Sequence, residues 1–319
     1  MSEFYSVQWL KIDENSESQR LDNFLYKTLK GVPKSHLQRL IRDGQVRVNK
    51  KRCKPDYRLC IDDNIRIPPI RTAQQEKSPP IPARTFPVVY EDEGLLVINK
   101  PSGVAVHGGS GISFGVIEQI RQSRPQERYL ELVHRLDKDT SGLLMIAKKR
   151  STLRRLHEQL RTRHPEKIYL ALCAPRWNEN IRHVRLPLFK YTGASGEKMV
   201  RVDEENGQVA HSVFRVQEHF QQASLMEVLL KTGRTHQIRV HCQVSGCPIL
   251  GDERYGQYDI NKEWQKKYHL KRMFLHAWQL TILHPSSNQP LHLQANLPDE
   301  LEQLLQRLRS ESCFIESKG

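Results

Sequence analysis

Apolar positions along the chain fall into two regimes separated by a proline-rich stretch. In the first, Leu21, Phe24, Leu25 and Leu29 recur at helical spacing. After Gly31-Val32-Pro33 a second short helix is offered by Ser35 as cap, Leu37, Leu40 and Ile41 as apolar face, and Gly44 as stop. Val46 and Val48 alternate with Arg47 ahead of an Asn49-Lys50 turn, and Ile65 and Ile67 alternate with Arg66 after Asp62-Asp63-Asn64. This period-two pattern predicts short strands that close a small unit over residues 20–68. Residues 1–19 read as an N-terminal extension. Pro68, Pro69, Pro79, Pro80, Pro82 and Pro87, with polar residues between them, make residues 69–86 an extended linker.

The second regime begins at Val88. Short β-branched or apolar runs recur at Val88 to Tyr90, Leu95 to Asn99, Leu143 to Ala147, Tyr169 to Cys173, Val213 to Val216, Leu225 to Leu230 and Leu280 to Leu283. A helical stripe interrupts them at Ser151 to Arg163, where Leu153, Leu156 and Leu160 line one face behind a serine cap. The pattern predicts an α+β domain over residues 87–309, a mixed, mostly antiparallel sheet with flanking helices, and a tail at 310–319.

Charge adds a partner to this picture. Fifty Lys plus Arg against 36 Asp plus Glu leave a net charge of +14. Residues 20–68 hold 13 basic and five acidic side chains, a net +8, so about half of the excess sits in the small unit. Such density suits a nucleic-acid grip better than a merely solubilising surface. No apolar run approaches the roughly 20 residues of a spanning helix. Met1 to Lys11 lacks the basic-then-apolar pattern of a signal peptide. A cytoplasmic protein with no membrane partner is expected. Six cysteines, none in C-x-x-C, read as reduced thiols. His236, His241, Cys242 and Cys247 crowd one segment, but the five-residue step between the histidines is not that of a helical zinc pair, so no metal is expected.

Nucleotide-driven and dinucleotide chemistry lose their usual support, because neither G-x-x-x-x-G-K-[ST] nor G-x-G-x-x-G is present. His107-Gly108-Gly109-Ser110-Gly111 fails as a nucleophile elbow, since Ile112 stands where the last glycine belongs. The H-x-E with P-C-x-x-C of zinc deaminases is missing too. What remains is His134-Arg135-Leu136-Asp137-Lys138-Asp139-Thr140-Ser141-Gly142, a charged loop leading into the apolar run Leu143 to Ala147. Polar groups at the mouth of a buried strand are where rigid scaffolds carry chemistry. A surface turn in which Asp137 or Asp139 caps backbone amides explains the same residues. Lys231-Thr232-Gly233-Arg234-Thr235-His236-Gln237-Ile238-Arg239-Val240-His241 follows the strand Leu225 to Leu230. A guanidinium from it could pair with a carboxylate of the first loop and fix its direction, or the segment could be a basic stripe for phosphates. Lys167-Ile168-Tyr169 adds a tyrosine entering a strand.

Together these segments resemble the RluA family of pseudouridine synthases. Asn99-Lys100-Pro101-Ser102-Gly103 is similar to that family's first motif, H-R-L-D-x-x-T-S-G at 134–142 to its catalytic motif, and L-x-T-G-R-T-H-Q-I-R-V-H at 230–241 to its third. The helix-helix-hairpin unit with V-R-V-N-K resembles a small α/β S4 RNA-binding domain, so the likeness runs from residue 20 to about 309. With no sustained heptad or obvious exposed apolar helix face, a monomer is expected. The resemblance implies the pseudouridine synthase fold and isomerisation of uridine in large-subunit ribosomal RNA or its assembly precursor, without a cofactor. It implies that Asp137 is the catalytic aspartate, Arg135 takes the place of the flipped uridine in the RNA stack, Tyr169 stacks on that base, and Arg239 pairs with Asp137. His134, Arg135 and Lys138 join Lys34, Arg39, Arg42, Arg47, Lys50, Lys51 and Arg52 as candidate RNA contacts. A non-catalytic ribosome-assembly factor is the alternative, disfavoured because a pure RNA binder has no use for a carboxylate where phosphates approach. A metal-dependent RNA hydrolase would need ligand clusters that the sequence does not offer.

Overall fold

A computed structural model describes residues 3–29, 31–72, 81–109, 113–162, 165–193 and 196–316. The chain divides into two compact units, Met1–Pro80 and Ile81–Gly319.

The first unit contains β1 (Glu3–Tyr5), β2 (Gln8–Lys11), α1 (Leu21–Thr28), α2 (Lys34–Arg42), β3 (Arg47–Val48), β4 (Asn64–Ile67) and β5 (Ile70–Thr72). Leu21 and Leu25 of α1, Leu37 and Ile41 of α2, and Ile65 and Ile67 of β4 close one apolar core. The Asn49-Lys50 turn forms with both residues at positive φ, while Val48 and Lys51 exchange their backbone hydrogen bonds at 2.9 and 3.0 Å. Asp63 clamps it by accepting from Asn49 Nδ2 at 2.7 Å. Lys34, Arg39, Arg42, Arg47, Lys50, Lys51 and Arg52 are all exposed. The reading of residues 1–19 as an extension is corrected. β2 is the edge strand on β4, and β1 pairs with β5, so the unit also reaches into the expected linker. Gln8-Trp9-Leu10-Lys11 is too short and polar for its alternation to register as a strand until β4 supplies the partner. Residues 73–80 of the linker lie outside the described residues.

The second unit runs β6 (Val88–Glu91), β7 (Leu95–Lys100), α3 (Val116–Ser123), β8 (Glu131–Leu132), β9 (Ser141–Ala147), α4 (Arg150–Thr162), β10 (Glu166–Cys173), β11 (His183–Thr192), β12 (Lys198–Val202), β13 (Gln208–His219) and β14 (Ser224–Leu230). It continues through α5 (Gln237–Val244), α6 (Tyr258–Tyr268), β15 (Leu275–Leu283), β16 (Pro290–Gln294) and α7 (Asp299–Glu316). Its strands form one sheet in the order β12-β11-β13-β14-β10-β15-β9-β7-β6, with β16 on β15 and β8 on β9. Every pairing is antiparallel except β9 with β15, which makes the sheet mixed as expected. The seven predicted strands all form, several with longer bounds. β11, β12 and β16 escape the pattern because their outward positions carry charge and their inward ones are few; β11 also contains Pro187.

Both faces of the sheet are covered. Leu96, Ile98, Leu144, Ile146, Met226 and Val228 pack with Ile117 and Ile120 of α3 and Ile238 and Cys242 of α5. Behind it, Leu156 of α4 packs on β7 and β9, while Trp264 of α6 and Leu301, Leu304 and Leu305 of α7 pack on β10 and β14. The expected tail is corrected, since residues 310–316 continue α7.

The parallel pair creates one obligatory glycine. Gly142 has φ +110°, and a Cβ there would stand 2.2 Å from the Ala277 carbonyl oxygen. Backbone strain of roughly 1–3 kcal/mol plus that overlap should make Gly142→Ala destabilising by more than about 2 kcal/mol in urea unfolding. An unchanged midpoint would mean that the strands part at low cost.

Candidate active site

The loop 134–142 is held from beneath before it presents anything. Lys100, fully buried at the end of β7, donates from Nζ to the carbonyls of Pro101 (2.8 Å), Val104 (2.9 Å) and Lys138 (3.0 Å). Burial pushes its pKa down to about 7, against the pull of Asp139 and Asp137. Ser102 Oγ donates to the Asp139 carbonyl at 2.7 Å. Leu136 packs into the core, and Asp137 lines a cavity of about 480 Å³. His134, expected as an RNA contact, has a structural bond as well. Its Nε2 accepts the Met145 backbone N–H at 3.1 Å, and burial pulls its pKa down to about 4. The neutral ring, engaged by β9 through Nε2, helps to position the loop.

Arg239 arrives from the first turns of α5, only 5% exposed. The expected pair with Asp137 is present but long, Nη1 to Oδ2 at 3.4 Å. Its stronger partner is one the sequence reading missed. Asp252, 1% exposed, takes Nε at 2.7 Å and Nη2 at 2.8 Å in a bidentate fork. Asp252 also accepts the backbone N–H groups of Arg254 and Tyr255. Burial opposes both charges, yet the fork outweighs it: Asp252 is pulled below the usual carboxylate range and Arg239 above its own ordinary value. The fork therefore fixes the guanidinium and leaves one nitrogen for Asp137.

His236 caps α5 in the left-handed region, φ +53°, with Nε2 3.8 Å from Asp137 Oδ2. Tyr255 Oη accepts the Val200 N–H at 2.9 Å and lies 2.8 Å from His236 Nδ1. A phenol proton given to Nδ1 would leave a hydrogen on Nε2 facing the carboxylate. Tyr169, 9% exposed on β10, lines the same cavity; burial and then the Asp137 charge push its pKa up, so it is a neutral phenol at pH 7. Gln237 ties the loop before α5 to β13, accepting from Thr232 Oγ1 (2.7 Å) and donating to the His211 carbonyl (3.0 Å). Arg135 is exposed at the cavity rim, and Lys138 is exposed nearby on the same loop.

The structure thus gathers Asp137, Tyr169, Arg239, His134 and Arg135 around one cavity. Lys34, Arg39, Arg42, Arg47, Lys50, Lys51 and Arg52 belong to the other unit. The crowded His/Cys segment disperses among separate partners: His241 to Ser212 Oγ (3.0 Å), Cys242 to Cys173 Sγ (3.7 Å) and Cys247 to the Arg176 carbonyl (3.6 Å). Ser110 lies outside the described residues. Lys100, His236 and Asp252 were passed over as functional. Lys100 and His236 stood inside the quoted motifs without a role of their own, and Asp252 sits between glycines in Gly251-Asp252-Glu253-Arg254-Tyr255-Gly256.

Burial also holds the His241 and His276 rings, and both join His134 and His236 at about 4. These folded-state values lie below the ordinary 6.5, so the unfolded chain binds more protons between pH 6.5 and 4. Stability should therefore fall as the pH drops through that window. Thermal melts at pH 7.5 and 5.0 should differ by more than about 5 °C; equal melting temperatures would contradict the buried neutral rings.

An RNA pseudouridylate synthase family profile matches residues 94–244, and an S4 domain profile matches residues 19–65. The chain is 48% identical to ribosomal large subunit pseudouridine synthase C of Escherichia coli strain K12, over 96% of its own length and 98% of the relative's. It is 47% identical to the protein of the same name from Haemophilus influenzae, with 95% and 96% covered. Among solved structures, human RNA pseudouridylate synthase domain containing 4 superposes with a TM-score of 0.57 at 28% identity, over 70% of this chain and 93% of that one.

Proposed function

This chain belongs to the RNA pseudouridylate synthase family and carries an S4 domain ahead of the synthase domain, and from that premise we propose that it isomerises uridines of large-subunit ribosomal RNA to pseudouridine, with Asp137 as the reacting carboxylate. The observation that carries the reading is Asp137 facing the cavity beside the neutral phenol of Tyr169, with the fork-held Arg239 behind it. A cavity of this size suits one extruded nucleotide. Arg135 at the rim is placed to fill the gap left in the stack. The relatives named for the ribosomal large subunit, each covered almost end to end, supply the substrate class.

The reaction conserves every atom. The N1–C1′ bond breaks, the uracil turns, C5 bonds to C1′, and the proton lost from C5 is balanced by one gained at N1. No electrons enter or leave. Asp137 opens the cycle on the nucleoside by attack at C1′, by addition to C6, or by removal of a ribose proton to give a glycal; each uses the same carboxylate. The Arg239 nitrogen and the His236 Nε2–H steady that charge without a competing short hydrogen bond. Tyr169 supplies a flat wall that keeps the freed uracil from escaping. Loop lysines and the exposed basic side chains of the S4 domain hold the phosphate backbone.

This reading includes a monomer that works in the cytoplasm on free ribosomal RNA or an assembly precursor, using its own side chains alone. Among the described residues no helix is long and apolar enough to cross a membrane. Carbodiimide mapping of large-subunit ribosomal RNA from cells lacking the protein tests the substrate. Loss of discrete pseudouridine stops, restored by the gene, is expected; an unchanged map would exclude this RNA.

A further inference from the structure

One cation of the cavity has no task in the chemistry above. Lys167 and Tyr169 stand two residues apart on β10, so both side chains leave the same face, about 6.6 Å apart along the strand. The register of β10 on β15 shifts between Ile168 and Tyr169, but its pairing with β14 runs on through both residues, and Lys167 and Tyr169 both line the cavity. Lys167 lines the cavity and is partly buried, and among the described residues no carboxylate pairs with its ammonium. The charge of Asp137 acts on Lys100, Tyr169, His236 and Arg239, whereas burial is what acts on Lys167 and pushes its pKa down. From the facing loop, Gly233 approaches so closely that a Cβ there would lie 3.5 Å from Lys167 Nζ. Lys231 and Arg234 flank that glycine and are exposed. A desolvated cation without a counter-charge is costly unless an anion arrives. The RNA brings one on each side of every nucleotide.

We propose that Lys167 is the phosphate anchor of the extruded nucleotide, its ammonium taking a non-bridging oxygen of a phosphodiester that flanks the target uridine while Tyr169, beside it on the strand, faces the base. The inference rests on the pseudouridine synthase reading and assigns a substrate contact within that site. Lys231 and Arg234 extend the same positive edge toward the neighbouring phosphate. Lys167 so placed adds to the binding of the backbone and leaves the chemistry to Asp137.

The test compares wild type, Lys167→Met and Lys167→Arg on a large-subunit ribosomal RNA transcript, measuring Kd across a salt series and the single-turnover rate at saturating protein. Lys167→Met should weaken binding about tenfold at moderate salt, as loss of a charge-assisted contact does, and lower the salt slope by about 0.7 to 1. Its saturated rate should change far less, and Lys167→Arg should restore the slope. A short RNA carrying the mapped uridine with a neutral methylphosphonate at each flanking position supplies the second arm on unaltered protein. At one position wild type should lose what Lys167→Met loses, and Lys167→Met should lose nothing more. An unchanged salt slope with a collapsed saturated rate, or additive losses at both positions, would overturn the proposal and place Lys167 at the uracil instead. A wild type that forms no pseudouridine would overturn the functional reading itself, and this anchor with it.

Discussion

Pure Asp137→Asn protein is expected to bind large-subunit ribosomal RNA as the wild type does and to make no pseudouridine. Asparagine keeps the shape of the side chain and loses the charge that every route to glycosidic cleavage requires. The loop should not collapse, because it is held by Lys100, Ser102 and His134 through backbone groups and not through the Asp137 carboxylate. Nor is Arg239 stranded, since its short contacts go to Asp252. Stability should therefore stay within about 1 kcal/mol of wild type. Turnover should fall by about 10⁴-fold or more, the scale seen when a reacting group is removed. Equal melting curves with filter-bound RNA and no product would separate chemistry from folding; residual turnover above about one part in a hundred would place the reacting carboxylate elsewhere.

The second large effect concerns stability and catalysis together. Arg239→Met removes the fork and leaves the Asp252 carboxylate, 1% exposed, without its cation. Breaking a buried pair from one side costs roughly 3–5 kcal/mol, most of it the burden of the abandoned charge. The double variant Arg239→Met/Asp252→Asn discards that charge, while the Asn oxygen can still accept the Arg254 and Tyr255 N–H groups. Most of the lost stability should return in chemical unfolding. Activity should not return, because nothing then faces Asp137 from α5 except His236. Recovery of both would show that Arg239 is only a brace; recovery of neither would show that the fork is not the source of the stability.

How far the sequence reached follows from where each property resides. The catalytic loop and the Arg239 segment are contiguous runs whose chemistry shows in the letters, and the structure brings both to one cavity. The predicted strands are mostly those with both faces covered, where apolar residues run together, with β6 the half-exposed edge among them. β2 and β12 are short edge strands, and their identity comes from a neighbour rather than from their own composition. Asp252 lies 13 positions beyond Arg239, and only folding turns it from one acidic residue among 36 into the buried partner of the guanidinium. The structural task of His134 was hidden for the converse reason. Its place in the motif suggests phosphate, but the Met145 N–H claims its ring. The helix α6 was invisible because its apolar contacts are with α7 and with β10 and β14, at long range.

The most direct test of the account is tritium release from an unmodified large-subunit ribosomal RNA transcript labelled at C5 of uridine, with wild type and Asp137→Asn assayed side by side in the presence of chelator. The account predicts release by the wild type, matched by pseudouridine in the digested RNA, and none by the variant. Release by both proteins, or by neither although both bind the transcript, would contradict it.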